Sequence, residues 1–118
     1  MGGKFVNRMV PEPATEDQLK ELAAGHRGVV KAVVDVKRRR MAAGAEWHTE
    51  CLELLKENGS NSEDCWGLKL VVETGEIKYK SQINKNRPGN RLDEIEDPKI
   101  RETVAEMVRE RLVKTVEG

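Results

Sequence analysis

Aromatic residues are scarce: the 118-residue chain has two tryptophans, one tyrosine and one phenylalanine. Its core must be drawn mostly from Val, Leu, Ile and Met, and a base-stacking platform is poorly supplied, since Tyr79 is the only aromatic among the basic residues of 78–91. Long apolar runs are missing too. None approaches the roughly 18 residues of a membrane span, and the N-terminus lacks the apolar stretch of a secretory signal, so a cytoplasmic location and no membrane partner are expected. The two cysteines, Cys51 and Cys65, make no disulfide framework; in a reducing compartment they read as free thiols packed like small apolar residues. Also absent are a phosphate-cradling Gly-rich loop, a nucleophile elbow and a dinucleotide fingerprint. These absences weigh against nucleotide-dependent and acyl-transfer enzymes, and no motif names a reaction or a cofactor.

Charge, by contrast, is plentiful. Charged residues make up 36% of the chain, above the roughly 25% of an ordinary soluble domain, and 21 basic residues balance 21 acidic ones. The balance hides blocks: Glu46 to Glu76 holds eight acidic residues against two basic, and Ile77 to Arg91 five basic and no acidic. Such blocks can set opposite faces against each other, within one molecule or between copies.

The length fits a single domain spanning 1–118, with 1–14 extended or flexible around Pro11 and Pro13. Thr15 and Gln18 have the spacing of a capping box, and Leu19, Leu22 and Ala23 give the narrow apolar stripe of a short helix ending at Gly25. Five valines between Val29 and Val36 favour a strand over a helix, and the segment reads as a hairpin: Val29 to Val36, a turn at Lys37 and Arg38, then Arg39 to Ala43. From Ala45 to Lys56 a helical template matches Trp47, Cys51, Leu54 and Leu55, whereas an extended one puts Glu46, His48 and Glu50 on one face. The extended reading is taken, passing into a strand at Leu52 to Lys56, with Asn58 to Asp64 a loop. Alternation of Trp66, Leu68, Leu70 and Val72, and of Ile77, Tyr79, Ser81 and Ile83, predicts a second hairpin in which Val72 faces Ile77 and Leu70 faces Tyr79. Arg87-Pro88-Gly89-Asn90 suits a type II turn. Asp97 caps a last helix with Pro98 at its first position and a stripe of Ile100, Val104, Met107, Val108 and Leu112. The fold class is α+β: an antiparallel sheet of two hairpins and the segment between them, a short N-terminal helix, and a C-terminal amphipathic helix packed on one face.

Several short stretches occur in an order that carries a resemblance: Val33 to Val36, Met41-Ala42, Glu46 and His48, Leu54-Leu55, Gly59-Ser60, Asp64, Trp66-Gly67, Ile83-Asn84, Arg87-Pro88, Gly89-Asn90-Arg91, Asp97-Pro98, and Ile100-Arg101. Together they resemble an uncharacterised family of small prokaryotic proteins, a domain of unknown function, over most of the chain after Gly28. Ala45, Trp47, Thr49 and Glu50 depart from the family pattern, which has Gly, Leu, Ala and Asp there, and the segment between Pro88 and Gly89 is shorter. The resemblance implies a shared fold and no activity.

Three constellations are candidates for chemistry. Glu46, His48 and Glu50, with Asp35 on a neighbouring strand, could hold a divalent cation or orient a histidine base; the plainer account is a solvated strand face. His48, Cys51 and Cys65, with His26 as a distant fourth, lack the paired spacing of a zinc site, so no metal ligand is assigned. The basic segments 37–40 and 78–91 suggest phosphate contacts, and Arg87, Asn90 and Arg91 around the Pro-Gly turn could hold a small anion. The reading that follows is a small non-enzymatic binding or interaction module that self-associates through an edge strand or its charge blocks. Its alternatives are a metal-assisted hydrolase using Glu46, His48 and Glu50, and a weak nucleic-acid binder.

Overall fold

The structure, a computed structural model, describes residues 5–113 other than the side chain of Asn86; the first four residues of the expected extended leader lie outside it. Eight principal elements follow in order: β1 Arg8–Met9, α1 Glu16–Ala23, β2 Val29–Asp35, β3 Arg40–Ala43, α2 His48–Glu57, β4 Cys65–Val71, β5 Glu76–Lys78 and α3 Pro98–Arg111. The strands form one antiparallel sheet in the order β1-β3-β2-β4-β5, and the class is α+β.

Local chemistry starts and stops most of these elements as expected. The Thr15 hydroxyl accepts the Gln18 amide and the Gln18 side chain accepts the Thr15 amide, at 3.1 and 2.9 Å, closing the capping box of α1. Asp97 accepts the Lys99 amide at 2.8 Å at the start of α3. The β2–β3 hairpin forms with Ala32 opposite Ala43 and Asp35 opposite Arg40. Arg39 at its tip takes a left-handed φ of 55°.

The segment between the hairpins is a correction. Residues 48–57 are helix, not an extended run with a strand at Leu52 to Lys56. His48, Cys51 and Leu55, spaced three and four apart, are buried on one side of it. The Glu50 carboxylate accepts the Trp47 amide at 3.1 Å at its start. At its end Asn58, Gly59 and Ser60 turn their amides back onto the carbonyls of Leu55 and Lys56, with Gly59 at a φ of 96°. Burial of three residues at helical spacing and satisfaction of both ends outweigh the polar alternation that pointed to a strand.

The second hairpin is displaced by two residues. Val71 pairs with Glu76, Leu70 with Ile77 and Lys69 with Lys78. Val72 therefore lies in the turn rather than opposite Ile77, and β5 ends at Lys78. Beyond it Tyr79 to Ser81 pair with 93–95 through Ile95 N to Tyr79 O and Ser81 N to Asp93 O, both 2.9 Å. Ile83 sits in a 3₁₀ turn, Gln82–Asn86. A slip of two leaves every side chain on its expected face.

The sheet buries both faces. Val30, Ala32, Val34, Met41, Ala43, Trp66, Leu68 and Leu70 meet α1 and α3. Val33, Ala42 and Cys65 meet Cys51 and Leu55 of α2 on the opposite side. α3 lies on one face as expected, and α2 covers the β1, β3 and β2 part of the other.

Candidate functional site

Glu46, His48 and Glu50 are not brought together. Glu46 is exposed ahead of α2, Glu50 is exposed and holds the Trp47 amide, and His48 is buried with its Nε2 2.8 Å from the Leu68 carbonyl. A carbonyl only accepts, so Nε2 carries the proton. Asp35 is buried at the far end of β2, where its carboxylate accepts the Lys37 and Arg38 amides at 2.9 and 3.0 Å and pairs with Arg38 at 3.2 Å. Among the described residues no three His, Cys, Asp or Glu side chains cluster closely enough to hold a metal ion. Cys51 and Cys65 are free and buried, and burial pushes their thiols up to about 11 and about 12.

Of the turn residues singled out for anion binding, Asn90 and Arg87 hold backbone carbonyls. Asn90 donates to the carbonyls of Asn84, Leu92 and Glu94 at 2.7–3.0 Å and accepts the Glu96 amide at 2.8 Å. Arg87 Nε donates to the Cys65 carbonyl at 2.8 Å, and Arg91 is exposed with its amide on Glu96. The basic run at the β2–β3 tip is similarly used. Arg38 bridges Asp35 and Asp64, Arg39 reaches Glu106 and Glu110 on α3, and Arg40 donates to the Asn58 carbonyl.

Cross-strand register assembles a different group of charges. Lys31 on β2 lies directly opposite Lys69 on β4, which lies directly opposite Lys78 on β5. Directly opposed residues of antiparallel strands share a face, so three lysines form one row across the sheet, on the same side as α2. Like charges so placed repel. Among the described residues neither these lysines nor Lys80 makes an ion pair. Lys31 and Lys69 are half-buried, and burial, helped by the charge of Lys69, pulls the Lys31 pKa down.

Lys31, Lys69 and Lys80 line a cleft of about 290 Å³. One wall is the start of α2, with Trp47, His48 and Thr49; the other is the Ser81 to Ile83 segment, and Asp93 contributes a carboxylate. Trp47 is 57% exposed. Lys31 Nζ donates to the Glu46 carbonyl at 2.9 Å and sits 5.1 Å from the Trp47 ring centroid. Close packing shapes the cleft's inner end. A Cβ on Gly67 would come within 2.5 Å of Ser81 Cβ and 3.1 Å of His48 Cδ2, so only glycine lets these two side chains meet over β4. Burial, with the charges of Lys31 and Lys69, drives the His48 pKa from its ordinary 6.5 down to about 4 against the pull of the Leu68 carbonyl. The imidazole is neutral at pH 7.

Sequence reasoning assigned Lys78 and Lys80 to a basic segment but had no means of adding Lys31 and Lys69, which only the sheet order brings alongside. A larger, mainly apolar cleft of about 590 Å³ lies between α1, the β4–β5 turn and Leu112 and Val113. Its rim runs to the end of the described residues, and it gathers few polar groups.

A family model described as a protein of unknown function (DUF5674) matches residues 8–111. The chain belongs to that family. The DUF5674 match begins at the first residue of β1 and ends at the last of α3, so it spans the whole sheet and both walls of the lysine cleft. It meets the expectation of an uncharacterised family and assigns no activity. No curated protein and no solved structure matches the chain, and no helix among the described residues is long and apolar enough to cross a membrane.

Proposed function

We propose that the chain is a small cytoplasmic binding module that takes an anionic ligand, one bearing phosphate or carboxylate groups, on Lys31, Lys69 and Lys80. The observation that carries this reading is the directly opposed Lys31 and Lys69 pair, half-buried and without a carboxylate partner among the described residues. A fold that only had to be stable would gain from an acid at one of these two positions. An anion relieves the repulsion and finds its counter-charges already placed.

The other readings draw less support. Glu46, His48 and Glu50 point to no shared centre for a hydrolase. Self-association through an edge strand would have to use β1, of two residues, or β5, of three, and edges that short offer few free backbone groups.

Thermal unfolding in sodium triphosphate against sodium chloride at equal ionic strength tests the proposal. A ligand present at ten times its Kd adds about 1.4 kcal/mol to the native state, and the resulting rise in Tm should vanish in Lys31→Gln and Lys69→Gln. Equal Tm in the two salts, or a rise that survives both substitutions, counts against an anion site here.

A further inference from the structure

We propose that the natural occupant of the lysine cleft is single-stranded nucleic acid, one base stacked on Trp47 and successive phosphates on the row Lys31, Lys69 and Lys78. This rests on the anion-binding reading above and names its ligand. The length of the row favours a polymer. Neighbouring strands lie about 4.8 Å apart, so a row across three of them extends on the order of 10 Å, more than one phosphate or carboxylate can span. The charge also leaves the cleft: Lys69 and Lys80 line a second depression together with Lys78 and Arg101, although Glu76 and Glu94 share its rim. A polyanion can follow that track, whereas a compact ion occupies one end of it.

Trp47 favours a base. A large aromatic ring 57% exposed at the mouth of a basic cleft loses nothing by staying there if a planar partner covers it. The Lys31 ammonium lies against the ring at 5.1 Å, and an added base would stack on the remaining surface, a contact every base can make. An acidic peptide would satisfy the lysines but has no general use for the ring. Thr49, Ser81 and Gln82 line the same cleft with groups able to hydrogen-bond a base edge.

The acidic surface of α2 favours a single strand over a duplex. α2, whose first residues form one wall of the cleft, exposes Glu50, Glu53 and Glu57. A rigid double helix approaching the row would press its backbone on those carboxylates, whereas a single strand can bend along the sheet.

Trp47 is also the reporter, because the other tryptophan, Trp66, is only 3% exposed. Emission of the full chain is followed against four probes: oligodeoxythymidine of about ten nucleotides, within the usual site size, a duplex of the same length, polyglutamate and inorganic triphosphate. Quenching by the single strand at the lowest concentration is expected, with binding of all probes also read by filter retention or calorimetry. Trp47→Ala should weaken the single strand about tenfold or more and triphosphate hardly at all. Lys69→Gln should reduce the dependence of log K on log salt by about 0.7. Circular dichroism on both variants checks that they fold. Triphosphate binding with no preference for the oligonucleotide overturns the inference and leaves the anion site standing. Duplex or polyglutamate binding as tightly as the single strand overturns it as well, and failure of all four probes removes both readings.

Discussion

Individual side chains divide here into those that hold backbone and those left over, and His48 belongs to the first kind. Its Nε2–H on the Leu68 carbonyl fixes the start of α2 to β4, and burial keeps the ring neutral with a pKa of about 4. The unfolded chain takes up a proton near the ordinary 6.5 while the native chain does not, so the unfolded state gains protons as the pH falls. Stability is therefore full above pH 6.5 and is lost as the pH drops towards 4. The loss across that window is about 3 kcal/mol. Urea unfolding at pH 7.0, 5.5 and 4.5 should show the slope in the native chain. In His48→Gln, whose amide can still donate to Leu68, the slope should flatten; an unchanged slope assigns the effect to another group. Asn84 is bound more tightly still, with its amide between the Gly67 N–H and carbonyl and the Asp93 carbonyl at 2.8–3.1 Å. Asn84→Asp replaces the donor by an oxygen facing two carbonyls and should cost about 3 kcal/mol or more, read as a fall in the urea midpoint with unchanged m.

Elements that announce themselves by capping or by a run of one residue class were legible in the sequence. Thr15 and Gln18 marked α1, Asp97-Pro98 marked α3, and the valines marked β2. Where two periods competed, the reading failed. The stretch 45–56 carried both, and the deciding signal was punctuation: Glu50 three residues after Trp47 and Asn58-Gly59 at the end describe a helix's two termini. The β4–β5 register failed by two residues for a different reason. Alternation fixes which face a residue takes and says nothing about shifts of two, which the turn 72–75 decides. The basic run 37–40 shows the same limit for charge, since its roles depend on acids distant in sequence. Asp35 is buried and holds two amides as well as Arg38. Asp35→Ala strands those donors and should cost about 2–4 kcal/mol. Arg39 meets Glu106 and Glu110 at the surface, and Arg39→Ala should cost under about 1 kcal/mol. Urea midpoints of the two variants check the contrast, and equal losses would mean that the tip is not organised around Asp35.

At the scale of the molecule, the zero net charge is a sum over surfaces that do not neutralise each other locally. The acids of 46–76 are largely on α2 and its flanks, and the lysine row lies on the same side of the sheet as α2, with ion pairs made elsewhere. Repulsion within the row works against folding, and a fold retains such an arrangement where it serves a ligand. This sets stability against binding at one position. Lys69 sits between Lys31 and Lys78, so Lys69→Glu converts two like-charged cross-strand neighbours into two opposite-charged ones. The variant should be more stable than the native chain by about 0.5–1.5 kcal/mol at low salt, with the gain shrinking as salt screens it. Its stabilisation by triphosphate should disappear at the same time. Unfolding at two salt concentrations, with and without triphosphate, reads both effects in one experiment. A Lys69→Glu chain that is less stable than the native one would mean that the lysines are already compensated and have no need of an anionic ligand.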